Sequence, residues 1–217
     1  MIDIIGALLF GYLVGSIPTA YIIARFLKGI DIRAVGSGNV GGSNVAVQVG
    51  KFPAAAVLLF DIVKGALAIA ILTSIGVSGP AQMAAGIAAL IGHSWPVWLR
   101  FVGGRGISVT GGVLFMFGSL ETIVTGIVLV IGSVLHVGAI TTVVVFALWP
   151  LAAWWLGKPD YVVAGSAIIW LIIVVRRLQG SPGVTHKGAG EPVFWNRFWL
   201  DRDIRNEEEW VKQKGTR

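Results

Sequence analysis

Seven apolar stretches take up most of this chain, and they limit it to folds that satisfy their own backbone polar groups away from water. They run from about Ile4 to Leu27, Pro53 to Val77, Ala81 to Leu99, Val109 to Phe117, Thr122 to Leu135, Ala139 to Leu156 and Tyr161 to Val175. A bilayer core about 30 Å thick needs roughly 20 such residues for a helical crossing, and a lipid-exposed backbone there must bond to itself. The expected fold class is an all-α membrane protein, a polytopic bundle of about seven transmembrane helices within residues 1–180. With 55% apolar and only 13% charged residues, the chain is far from the balance of a soluble domain.

The fourth and fifth stretches are short, and they read either as one segment broken near Gly118 or as two thin helices. Loop charge favours two. With seven spans, Lys28, Arg33, Lys51, Arg100, Arg105, Arg176 and Arg177 share one side, while Asp3, Glu121, Asp160 and only Lys158 fall on the other. The positive-inside rule makes the basic side cytoplasmic, with the N-terminus outside and the C-terminus inside. No basic residue precedes the first stretch, so it is expected to be a retained helix rather than a signal peptide. The net charge of +6 then belongs to cytoplasmic loops and anionic lipid, and no nucleic acid is expected. Residues 181–217 form an expected cytoplasmic tail. Within it Trp195, Phe198, Trp199 and Leu200, beside Arg197 and Arg202, suit an interfacial helix, whereas the acidic run from Glu207 suits either that surface or solvent.

The chain has no cysteine, which removes disulfides, thiolate catalysis and thiolate metal sites. His93, His136 and His186 lie in no ligand pattern, and G-x-x-x-x-G-K-[ST] is absent, so neither a metal nor a nucleotide cofactor is expected. Two loops on the basic side carry the chemistry. The first holds Ser37, Gly38, Asn39, Gly41, Ser43 and Asn44, where glycines let backbone N–H groups converge on an anion. The second holds Gly103, Gly104, Arg105 and Gly106, where glycines flank a guanidinium suited to phosphate. One such cluster is ordinarily a tight connection between helices, but two on one face point to an anion site. Asp61 and Lys64 are three apart and share a helix face. They read as a structural ion pair, or Asp61 as a catalytic group. His93 falls at the depth of Arg105 and reads as a packing residue, a proton carrier or a phosphate donor.

Gly15-Ser16-Ile17-Pro18, Gly36-Ser37-Gly38-Asn39-x-Gly41-x-Ser43-Asn44, Asp61-x-x-Lys64-Gly65, Gly92-His93-x-Trp95-Pro96-Val97 and Gly103-Gly104-Arg105-Gly106 resemble the bacterial acyl-phosphate:glycerol-3-phosphate acyltransferases, the PlsY family, over about residues 4 to 180. The resemblance implies a seven-helix bundle in the bacterial cell membrane. Its cytoplasmic loops would bind acyl phosphate and glycerol 3-phosphate and release lysophosphatidic acid and phosphate, with membrane lipids around it and no obligate protein partner. It also implies phosphate binding by the two loops, with Ser43 standing for the family's threonine and Arg105 for its lysine. Val47 and Val102 stand where the family has basic residues. The third motif is reduced to Arg176-Arg177-Leu178-Gln179-Gly180-Ser181-Pro182, its histidine and asparagine falling on apolar positions near Trp170 and at Ile173 or Val174. Arg176 or Arg177 is expected to replace part of the missing charge. Helical neighbours point about 100° apart, so one should face the loops and the other snorkel to headgroups. A transporter for a phosphate-bearing solute and a non-catalytic lipid-binding relative are the alternative readings of the same features.

Overall fold

The computed structural model describes residues 2–180 and 193–203, and among these all regular structure is helical. The elements are α1 (Ile2–Gly15), α2 (Thr19–Lys28), α3 (Gly42–Gln48), α4 (Lys51–Ser74), α5 (Gly79–Ser94), α6 (Ile107–Phe115), α7 (Ser119–Val134), α8 (Gly138–Trp155) and α9 (Asp160–Gln179). Short 3₁₀ turns lie at Ile32–Ala34 and Val97–Leu99, and the segment from Val193 ends in a π-helical turn, Asn196–Leu200. Tail readings that rest on Ser181, Pro182, His186 and the stretch from Glu207 lie outside the described residues.

Two boundaries differ from the sequence expectation, each at a proline. The first apolar stretch is two helices, because Pro18 has no N–H to continue the ladder and the chain opens at Ser16–Pro18. The third ends at Ser94 instead of Leu99, since the residue before Pro96 is pushed out of the helical region; Trp95 sits at φ −135° and ψ 67°. The fourth and fifth stretches are separate helices joined by the turn that contains Gly118.

Small residues set the packing around α5. Gly11 lies against the backbone of Ala85, Gly15 against that of Ala89, and Gly92 against Tyr12, with no room for a side chain at any of them. Gly65 and Gly112 do the same between α4 and α6. Close backbone approach replaces the hydrophobic drive that lipid abolishes. Ile69, Leu90, Val109, Val113, Phe146 and Ile169 fill the interior, while Leu9, Phe26, Leu59, Ile127 and Trp154 face outward. An apolar exterior of this kind fits lipid. Among the described residues four stretches are long and apolar enough to cross a bilayer: Ile4–Lys28, α4, α8 and α9. The molecule is an integral membrane protein.

Contacts sort the loops into two ends. Arg33 Nη1 donates to the Leu99 carbonyl (3.2 Å), Arg105 Nη1 to that of Arg176 (3.3 Å), and Arg177 Nη2 to that of Ala139 (2.8 Å). At the opposite end Lys158 pairs with Glu121 at 2.9 Å and donates to the Phe117 carbonyl (3.2 Å), and Phe117 meets Tyr161 edge to face.

Candidate active site

The first glycine loop is held from within. The Asp31 carboxylate accepts the Arg33 backbone N–H (3.0 Å), capping the 3₁₀ turn, and pairs with the Arg33 guanidinium at 2.6 Å. That hydrogen bond raises the guanidinium's pKa above its already high ordinary value. Gly36 and Gly38 adopt left-handed φ values of 57° and 67°, a conformation that favours glycine. Asn44 is buried, and its amide reaches the carbonyls of Ile32, Val35 and Asn39 at 3.0 to 3.1 Å. It therefore shapes the loop from inside. Ser37 and Asn39 are half-buried and Ser43 is exposed.

The second loop is held from α9. Arg176 donates through Nε to the Gly104 carbonyl (3.1 Å), through Nη2 to Gly103 (2.9 Å) and through Nη1 to Gly180 (2.7 Å). All its guanidinium nitrogens are thus engaged by backbone outside regular structure, where carbonyls lack helical partners. Arg105 leaves the loop in the direction of the C-terminal segment. Its Nε lies 3.1 Å from an Asp201 carboxylate oxygen and its Nη2 donates to the Asp201 carbonyl (3.3 Å).

Arg177 corrects the expectation that one of the two α9 arginines snorkels to headgroups. Both are buried, at 2% and 1% exposure. Arg177 donates to the carbonyls of Phe198 (3.0 Å) and Ala139 (2.8 Å), tying the C-terminal segment to the start of α8. Carbonyl groups within reach inside the protein leave it no reason to extend outward. Arg197 adds a further tie, donating to the Leu178 carbonyl at 2.8 Å. The segment's aromatic residues remain partly outward, with Trp195 and Trp199 exposed.

A third group of charges lies between the loops and the bundle. Asp61, on α4, accepts from Thr19 Oγ1 (2.6 Å) and pairs with Lys64 at 2.8 Å. Lys64 Nζ also donates to the Ile17 carbonyl, at the break between α1 and α2 (3.0 Å), and contacts His93 Nδ1 at 3.0 Å. All three side chains are buried. His93, Val40, Pro96 and the break residues Gly15 to Thr19 line a small pocket. Gly104 closes against this group: a Cβ there would collide with His93 Nε2 and lie 2.6 Å from the Val40 carbonyl oxygen. The two glycine loops and His93 therefore meet at one junction, while Arg105, Arg176 and Arg177 gather at a neighbouring one under Asp201. Among the described residues no three His, Asp or Glu side chains converge as metal ligands.

Thr19, the Ile17 carbonyl and Asp201 are contacts that sequence reasoning missed. The first two were signalled by Pro18, which breaks the helix and frees local backbone. Asp201 meets an arginine 96 residues away, and nothing in its local sequence marks that.

Residues 5–181 match the model of a family described as glycerol-3-phosphate acyltransferase. Glycerol-3-phosphate acyltransferase 5 of Dehalococcoides mccartyi is 37% identical over 94% of this chain and 90% of its own length. A glycerol-3-phosphate acyltransferase of Halalkalibacterium halodurans is 38% identical over 77% of this chain and 82% of its own. The crystal structure of PlsY, an integral membrane glycerol 3-phosphate acyltransferase, in its glycerol 3-phosphate form superposes with a TM-score of 0.74 at 30% identity, covering 81% of this chain and 88% of that one. Matched along nearly its whole membrane-embedded length in sequence and in fold, the chain belongs to the glycerol-3-phosphate acyltransferase family of integral membrane proteins.

Proposed function

We propose that this acyltransferase moves a fatty acyl group from acyl phosphate to the 1-hydroxyl of glycerol 3-phosphate, giving lysophosphatidic acid and inorganic phosphate for phospholipid synthesis. The observation that carries the reading is the junction at Gly104, where both glycine loops and His93 meet beside a pocket at the helix break. Acyl phosphate is already an activated anhydride. The site therefore needs no covalent intermediate; it must hold two anions in register and disperse charge as phosphate departs.

Residues Ser37, Gly38, Asn39, Gly41 and Ser43 supply donors from the first loop, with Asn44 setting its shape. Gly103, Gly104 and Gly106 let a phosphate approach the second. Arg105 adds charge by exchanging the Asp201 carboxylate for a substrate phosphate. Arg176 and Arg177 act on the anion indirectly, by fixing the second loop and the C-terminal segment. A groove between the helices takes the acyl chain, which gains little on leaving lipid because both surroundings are apolar.

Seven crossings, with the N-terminus outside and the Arg105 end in the cytoplasm of a bacterial cell, fit the two-ended arrangement of loops and the basic residues at one of them. At 16 residues α5 is about 24 Å long and at nine α6 is about 14 Å, so the bilayer would thin locally around them.

The test is donor choice by purified protein in lipid. Palmitoyl phosphate with glycerol 3-phosphate should yield lysophosphatidic acid and phosphate in equal amounts, and acyl thioesters should not substitute. Use of a thioester alone would overturn the donor assignment. Cysteines placed at Ser37 and Arg100 should label from the cytoplasm and one at Gly157 from outside.

A further inference from the structure

Lys64 has three neighbours at hydrogen-bond distance: Asp61 Oδ1 at 2.8 Å, the Ile17 carbonyl at 3.0 Å and His93 Nδ1 at 3.0 Å. An ammonium group has three protons and no lone pair. Beside a buried carboxylate that also accepts from Thr19, Lys64 carries its charge, so each of the three contacts is a donation. His93 Nδ1 is then an acceptor, since a proton on it would set two donors face to face. A neutral imidazole that accepts at Nδ1 holds its proton on Nε2. That nitrogen is the atom against Gly104, next to the Val40 carbonyl, on the side chain that lines the pocket.

We infer that Lys64 is a positioning residue that fixes His93 in the Nε2–H form, so that His93 gives a hydrogen bond to a substrate oxygen at the Val40–Gly104 junction and does not act as the base. Asp61 does not act as the base either: Thr19 and Lys64 hold it, and it lines no part of the pocket that His93 lines. In the transfer the glycerol oxygen bonds to the acyl carbon and the bond from that carbon to the phosphate oxygen breaks. The hydroxyl proton leaves on the phosphate. These bond changes and the proton's destination rest on the acyl-phosphate reading; the role of Lys64 does not.

Nitrogen-15 NMR of the full-length, histidine-labelled protein in lipid tests the inference, with the His93 signals identified by their loss in His93→Gln. The expected spectrum has a proton on Nε2 and an acceptor-type shift at Nδ1. A proton on Nδ1 overturns the inference. Lys64→Gln keeps an N–H for Nδ1 and should keep the tautomer and much of kcat. Lys64→Met leaves Asp61 to draw the proton to Nδ1, and kcat should fall about a hundredfold or more, as when one oriented donor is lost, with less change in KM. If Lys64→Met does not insert, Asp61→Asn/Lys64→Met removes the unpaired carboxylate as well, and with neither ammonium nor carboxylate beside Nδ1 the imidazole should populate both tautomers instead of the Nε2–H form alone. Retention of the Nε2 proton together with wild-type kcat in the Met variants would refute the positioning role. A donor assay that favours thioesters would overturn the donor reading and leave the spectrum to decide this one.

Discussion

Two buried clusters of charge stand side by side at one end of the bundle, and they use burial in opposite ways. In the Asp61–Lys64–His93 group, side chains satisfy one another and leave one neutral edge turned to the pocket. In the Arg105–Arg176–Arg177 group, guanidiniums satisfy backbone carbonyls, those of the Gly103–Gly104 loop and of the facing ends of α8 and α9. A charge paired with a charge can tune a reacting group; a charge spent on carbonyls fixes the shape of a chain. The first cluster should therefore govern turnover, and the second the integrity of the loop that turnover needs.

Breaking the first cluster should have the largest effect. Asp61→Ala strands the Lys64 charge in the interior, and loss of one partner of a buried pair is worth about 3–5 kcal/mol. Thermal unfolding in detergent should show it, with Asp61→Ala/Lys64→Ala less damaged than Asp61→Ala. Equal damage would mean that the pair is not coupled.

Arg176→Ala comes next. It leaves the carbonyls of Gly103, Gly104 and Gly180 without their donor, at about 1–3 kcal/mol for a buried unsatisfied group. Both the unfolding temperature and kcat should fall. Arg176→Lys should recover only part, since a point charge lacks the fork that reaches all three.

Gly104→Ala should sharpen the contrast by separating turnover from folding. The added methyl meets His93 Nε2 and the Val40 carbonyl, so activity should be nearly lost while the helices remain. Gly111→Ala, in α6 with nothing within 4 Å of the added group, should leave activity unchanged. It should make that helix more stable by about 0.5–1 kcal/mol.

The smallest effect is expected at Asp201. Removing its charge frees the Arg105 guanidinium from a partly exposed pair worth about 0.2–1 kcal/mol. Asp201→Asn should accordingly lower KM for one anionic substrate about two- to fivefold, with kcat little changed. A raised KM would show that Asp201 holds Arg105 in place for substrate instead of competing with it.

The two clusters also differ in how far sequence revealed them. Asp61 and Lys64 are three residues apart on one helix, and a pairing at that spacing is legible without coordinates. His93 was legible as a residue at the depth of the second loop, because the apolar stretches set the depth. The helix break was marked by Pro18 but submerged in an apolar run long enough to read as one helix. Arg177 was misread for a different reason. Its acceptors are the carbonyls of Ala139 and Phe198, 38 and 21 residues away, and a backbone carbonyl has no side-chain identity by which sequence can announce it. Arg105 was placed correctly in its loop, yet its direction depends on Asp201 in a tail whose composition suggested only an interfacial helix.

The most direct test of the account is a structure with glycerol 3-phosphate bound. The phosphate should lie between the Ser37–Gly41 stretch and Gly104, with His93 Nε2 within hydrogen-bond reach of a substrate oxygen. A phosphate held instead by the outlying cations Arg25, Lys28 or Arg100, with the Val40–Gly104 junction empty, would contradict it.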